Sequence, residues 1–179
     1  MSSAVARLDA SEVPLKKHPW YGIRTRSHHE KRVSDILYRK GYEQYLPLYR
    51  VRRKWTDRVK VSEEPLFPGY LFSRFEAHER AAIVSTLGVV EVVQFGSEPA
   101  PIDDEEIEAV RQVLKSGLPV QPCQFLQEGQ RVRILCGALK DIEGILVKQK
   151  SEYRLVISVT TLYRSVSVEI DRDLIAAIS

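Results

Sequence analysis

Apolar positions follow two different rhythms along the chain, and the change between them falls near residue 117. Before it, short alternating runs are separated by helical spacings. Trp20-Tyr21-Gly22-Ile23-Arg24-Thr25-Arg26 predicts a strand. Ser27-His28-His29-Glu30 then reads as a capping box, in which Ser27 and Glu30 satisfy free backbone donors. Val33, Ile36, Leu37 and Tyr38 form one stripe of the following helix, and Gly41 closes it. Tyr42 to Trp55 predicts extended chain, as does Val59 to Val61, and Leu66-Phe67-Pro68-Gly69-Tyr70-Leu71-Phe72 predicts a kinked hairpin around a Pro-Gly turn. A short helix is expected over Ala81 to Leu87 and a buried strand over Val89 to Phe95. Asp103 opens an acid-capped helix whose Ile107, Val110 and Leu114 share a face.

That order predicts an α+β domain over residues 17–116, helices on a mixed or antiparallel sheet, preceded by a disordered leader at 1–16 that shows no apolar period. Gly117-Leu118-Pro119-Val120-Gln121-Pro122 has linker composition, and the linker is set at 117–126. Over 127–179 the period becomes two: Val132 and Ile134, Ile145 and Val147, Leu155, Ile157 and Val159, then Val166, Val168 and Ile170. Four or five short antiparallel strands in so few residues predict a small, all-β, SH3-like barrel.

Composition narrows the function classes. With 44% apolar and 28% charged residues, the chain can build real cores. It has no apolar run of the ~20 residues that span a bilayer and no secretory signal order, so a soluble, cytoplasmic monomer is expected, without membrane contact. Cys123 and Cys136 stand outside any CxxC or Cys/His grouping and read as unpaired thiols. His28-His29-Glu30 with Asp35 lacks HExxH spacing and sits at a helix start, and no Walker or dinucleotide motif is present. No catalytic residue, metal site or cofactor is therefore assigned. The net charge of +3 conceals an asymmetry: residues 16–60 hold 14 Lys/Arg against 4 Asp/Glu, and residues 61–110 hold 2 against 11. The split favours an anionic partner near the basic stretch, nucleic acid being the commonest, with a merely solvated face as the alternative.

Gly129-Gln130-Arg131-Val132-Arg133-Ile134 through Lys140-Asp141-Ile142-Glu143-Gly144-Ile145-Leu146-Val147 resembles a KOW motif. Trp20-Tyr21, the run Glu64-Pro65-Leu66-Phe67-Pro68-Gly69-Tyr70-Leu71-Phe72, and Gly88-Val89-Val90 through Gln94-Phe95-Gly96 resemble the N-terminal domain of the NusG family of transcription elongation, termination and antitermination factors. The resemblance covers about residues 18–179. Within the family, residues 62–72 and 93–96 are similar to specialised RfaH-like paralogues, whereas Val156 to Asp171 is similar to the housekeeping KOW domain.

The resemblance implies a regulator of transcript elongation, with no enzymatic activity, that binds the clamp helices of RNA polymerase through an apolar face. Tyr21, Phe67, Tyr70 and Phe72 occupy the matching positions, with core packing as the competing role for each ring. Arg24, Arg26, Lys31, Arg32, Arg50, Arg52, Arg53, Lys54, Arg58 and Lys60 are the candidates for neutralising phosphates of upstream or non-template DNA. Leu139, Ile142, Leu162 and Tyr163 match the KOW surface that meets Rho or a small-subunit ribosomal protein, with plugging of the barrel ends as the alternative. The His-Thr-Thr run of RfaH-like proteins is replaced by His78-Glu79-Arg80-Ala81-Ala82-Ile83, and the β-branched alternation of Val156 to Val168 opposes a helical form of the barrel. Antitermination and general elongation control share all of these features. A ribosome-associated KOW protein that binds RNA is the other reading.

Overall fold

The computed structural model describes residues 18–54, 59–123, 125, 129–149 and 152–178. The expected leader at 1–16 lies outside the described residues. In the N-terminal half the elements are β1 (Trp20–Thr25), α1 (Glu30–Arg39), β2 (Glu43–Tyr45), β3 (Leu48–Lys54), β4 (Val59–Pro65), β5 (Tyr70–Arg74), α2 (Arg80–Val84), β6 (Val89–Val92), β7 (Gln94–Phe95), β8 (Glu98–Pro99), β9 (Pro101–Ile102) and α3 (Asp104–Lys115). The C-terminal half contributes β10 (Val120–Cys123), β11 (Gln130–Ile134), β12 (Glu143–Gln149), β13 (Glu152–Val159), β14 (Arg164–Ile170) and β15 (Ile175–Ala177). The result is a mixed α/β protein whose sheets are antiparallel and whose helices are few.

Strand β1 is the axis of the N-terminal sheet, ordered β2-β5-β1-β6 with β9 also paired to β1. Its residues oppose β5 in register, Trp20 facing Arg74, Gly22 facing Phe72 and Arg24 facing Tyr70. Because strand side chains alternate, one face carries Tyr21, Ile23, Leu71 and Phe75, which pack with Val33 and Leu37 of α1, Ile83 of α2 and Val92. The opposite face carries Trp20 and Phe72, which pack with Ile107, Val110 and Val113 of α3.

Among the described residues, strands β3 and β4 pair only with each other and form a separate two-stranded ribbon. This corrects the expected hairpin at Pro68-Gly69: β4 belongs to the ribbon and β5 to the main sheet, so the turn marks a change of sheet. Leu66 and Phe67, fully buried, anchor the crossing. The expected capping box is also corrected. Ser27 and His28 form a turn, with His28 at φ 62, so the helix starts at Glu30 and His29 caps it without a side-chain bond. Glu30 thus occupies the first helical position rather than the third, and its carboxylate is spent elsewhere. In α3, Val113 is buried alongside Ile107 and Val110, while Leu114 is partly buried at its margin.

The C-terminal strands form one six-stranded sheet in the order β10-β14-β13-β12-β11-β15. Strand β10 lies within residues 117–126 and pairs with the edge of β14, Val120 opposite Val168. The two halves share a core. Ile157, Val159 and Leu162 belong to the same buried cluster as Trp20, Phe72 and Ile107. Leu162 ends a 3-10 turn, Thr160–Leu162, that reaches over β1. A Cβ built on Gly22 would stand 2.5 Å from Leu162 Cδ2 and 3.2 Å from Val93 Cγ2, so the close approach requires glycine there.

Gly22→Ala should therefore wedge Leu162 out of its seat and part the halves without altering either sheet. The expected outcome is faster proteolytic cleavage between residues 117 and 129 with an unchanged far-ultraviolet spectrum; equal cleavage rates would show that the contact does not hold the halves together.

Candidate protein and nucleic-acid interfaces

The four aromatic candidates divide between the two faces of the sheet. Phe67 and Phe72 are fully buried and meet edge to face at 5.6 Å, with Tyr45 stacked on Phe72 at 6.2 Å. Tyr70 is partly buried at the margin of the same cluster, and the Arg164 guanidinium lies 5.8 Å above its ring. Tyr21 projects from the other face and packs on Phe75 at 4.7 Å, beneath the α1 layer. The structure thus gathers Phe67, Tyr70 and Phe72 and sets Tyr21 apart.

Two layers cover the face that carries the three rings. Helix α3 is fastened by charge as well as by apolar contact. The Arg74 guanidinium, almost wholly buried, donates to Asp104 Oδ1 at 2.8 Å and to the His18 carbonyl at 3.1 Å. Trp20 is held between Arg74, 4.7 Å from its ring, and Arg111, 5.2 Å from it. Burial in this seam pushes the Tyr45 hydroxyl up to about 12, against the pull of Arg111. The second layer is the Thr160–Leu162 turn. The Thr160 N–H donates to Glu106 Oε1 at 3.3 Å, and the Thr161 hydroxyl donates to the Pro101 carbonyl at 3.2 Å.

Of the residues expected to form a partner surface on the C-terminal half, Leu139, Ile142 and Leu162 are buried. Tyr163 is 56% exposed and sits in the left-handed region at φ 49. Beside it a groove of about 500 Å³ runs along the junction, lined by Arg24, Tyr70, Phe95, Leu162 and Tyr163 among others. Phe95 is 60% exposed there, a residue that the strand pattern placed in the core.

The basic candidates also separate. Arg24 Nε donates to Glu91 Oε1 at 2.8 Å, and Lys31 Nζ donates to the Glu63 carbonyl at 3.0 Å, tying α1 to the ribbon. Arg53 pairs with Glu64 at 2.8 Å and Arg50 with Glu63 at 4.0 Å. Among the described residues, Arg26, Arg32, Arg52 and Lys60 have no carboxylate partner. Arg58 and the side chain of Lys54 lie outside the described residues. On the ribbon, Arg53 stands directly opposite Lys60, a like-charge pairing that the Arg53–Glu64 ion pair offsets in part. The other face presents Arg50 and Arg52 with Val59, 61% exposed, and Val61, 54% exposed. Cations interleaved with exposed aliphatic groups suit a polyanion with apolar surface between its charges.

Residues 18–111 match the family model described as "Transcription termination factor nusG". The chain is 27% identical over 173 residues to the transcription termination/antitermination protein NusG of Borreliella burgdorferi, covering 85% of this chain and 94% of that protein. It is 28% identical over 166 residues to the protein of the same name from Pseudomonas aeruginosa, again covering 85% and 94%. A solved structure described as "Domain interaction in Thermotoga maritima NusG" superposes with a TM-score of 0.54 at 20% identity, over 90% of this chain and 97% of that one, a likeness of fold.

Glu106 is a titratable group at the junction, where it accepts the Thr160 N–H. Its carboxyl is raised above the usual carboxylate range by burial; the Thr160 hydrogen bonds act in the opposite sense and the Asp103 charge in the same sense. A raised carboxyl pKa means that the joined arrangement is penalised while Glu106 is charged, and the penalty is relieved as pH falls through the raised pKa. Protease cleavage between the halves should therefore slow on acidification from neutral pH, and Glu106→Gln should remove that pH dependence.

Proposed function

Because the chain belongs to the NusG family of transcription termination and antitermination factors, we propose that it is an elongation regulator that binds the clamp helices of RNA polymerase and acts as an antiterminator. The single observation that carries this reading is the apolar sheet face bearing Phe67, Tyr70 and Phe72, which is completed only by elements outside its own sheet. Buried aromatic clusters of this kind are the usual centres of binding energy between proteins. Helix α3 and Leu162 occupy part of that face, so polymerase competes with the C-terminal half for it, and binding requires the Thr160–Leu162 turn to leave.

The C-terminal sheet is, on this reading, an SH3-like KOW barrel, and residues 117–126 are the tether between two domains. Tyr163 is available to a partner in the joined arrangement. Leu162 becomes available only after parting, when the turn presents both to Rho or to a small-subunit ribosomal protein. Leu139 and Ile142, both buried, belong to the core of that half. The ribbon, with Arg52 and Lys60 unpaired among the described residues, is the element directed at upstream or non-template DNA. Arg26 and Arg32 lie on the body of the same half.

Tagged protein recovered from native lysate at moderate salt should retain RNA polymerase subunits. Leu162→Asp should raise that retention by opening the face, and Tyr70→Ala should lower it about tenfold, a change of about 1.4 kcal/mol. Recovery of ribosomal proteins or RNA in place of polymerase would overturn the reading. In transcription across an intrinsic terminator, the opened variant should increase read-through more than the parent protein does.

Replacing Arg52 and Lys60 together by Ala should weaken binding to a forked DNA duplex and reduce the slope of log affinity against log salt by about 2, one unit for each lost phosphate contact. An unchanged slope would remove the ribbon from the DNA site.

A further inference from the structure

A buried carboxylate lies behind the three-ring face, and nothing in the function proposed above uses it. Glu30 is 5% exposed and stands at the first position of α1, where the helix end favours negative charge. Its Oε1 accepts the Gly69 N–H at 2.8 Å. The Gly69 carbonyl in turn accepts the Thr25 N–H from β1 at 2.8 Å, and Tyr70 N–H closes the turn on the Phe67 carbonyl at 3.0 Å. Gly69 has φ +82, which suits glycine at the third position of a tight turn after Pro68. The Phe67–Tyr70 turn is thus gripped at both polar ends, by a carboxylate from α1 and by an amide from β1.

We propose that Glu30 is a positioning residue for polymerase docking. By fixing the Pro68-Gly69 turn, it sets Phe67 and Tyr70 in their docking arrangement before the partner arrives. The inference rests on the polymerase reading above. A face ordered in advance loses less freedom on association, and the Gly69 bond is of the stronger, charge-assisted kind. Among the described carboxylates of the N-terminal half, the geometry assigns this role to Glu30, which is buried and bonded to the Pro68-Gly69 turn.

The test compares Glu30→Ala, Glu30→Gln and Gly69→Ala in the full chain, reading polymerase affinity, forked-DNA affinity, thermal midpoint and hydrogen exchange at Gly69 and Tyr70. Glu30→Ala should speed exchange at Gly69 and weaken polymerase binding about tenfold, the scale set by leaving one partly buried donor without its acceptor, while DNA affinity stays unchanged. Glu30→Gln retains an acceptor and should recover most of the affinity. A Cβ at Gly69 would meet nothing within 4 Å, so Gly69→Ala perturbs the turn through its backbone alone and should weaken polymerase binding even if Glu30→Ala fails to fold. Full polymerase affinity in Glu30→Ala and Gly69→Ala, beside a loss in Tyr70→Ala, would overturn this inference and leave the polymerase reading standing. If Tyr70→Ala also binds fully, the polymerase reading fails and this inference falls with it. Equal losses toward polymerase and DNA would reduce Glu30 to general stability and overturn the role assigned.

Discussion

Strand β1 carries apolar side chains on both of its faces, and most of the architecture follows from the need to cover them. Tyr21 and Ile23 are served by α1 and α2, which form one layer. Trp20 and the bare backbone of Gly22 look the other way, where α3 and neighbours such as Val93 cover the face in part from the N-terminal half. Full burial of each large side chain contributes about 1.5–3 kcal/mol, so a half-covered second face is a large unfavourable term. Leu162 completes it from the C-terminal half. Whatever else engages this face must displace that turn, and the energy available to it is the difference between two apolar contacts rather than the whole of one.

Charge is distributed to the same end. The basic stretch and the acidic stretch that follow each other in sequence fold back on one another, Arg24 on Glu91 and Arg53 on Glu64, and within the acidic stretch Arg74 pairs with Asp104. Exposed pairs such as Arg24–Glu91 add little stability. Arg74 is different, because its guanidinium is buried against Trp20 and reaches two segments distant in sequence. Among the described residues of the basic stretch, Arg26, Arg32, Arg52 and Lys60 are left without a carboxylate partner, a more pointed arrangement than the overall net charge conveys.

Local pattern revealed the elements whose physics is local. The strand at Trp20, the stripe of Val33 and Leu37, the acidic start of α3 and the period-two run from Val132 to Ile170 are each decided within a few residues. Pairings between distant segments were not legible. The turn at Pro68-Gly69 has the composition of a hairpin, yet β4 finds its partner in β3 and β5 finds its own in β1 and β2. The capping box failed because the left-handed His28 delays the helix, and Glu30 then reaches an amide 39 positions away. Two signals were present in the sequence. Glycine inside an otherwise apolar strand marks a close approach, as at Gly22, and an acidic residue beside an apolar stripe can be a buried acceptor.

The ribbon has a mechanical consequence. Its seven-residue strands span about 23 Å at ~3.3 Å per residue. Its grip on the body is near the base, through the Leu66 N–H on the Pro47 carbonyl and the Lys31 ammonium on the Glu63 carbonyl. A stiff arm held at one end converts angle into travel: a rotation of about 10° at the root sweeps its tip through about 4 Å, the length of a strand residue or so. Small adjustments where Lys31 meets Glu63 are thereby magnified at the cationic end while the sheet beneath it stays still.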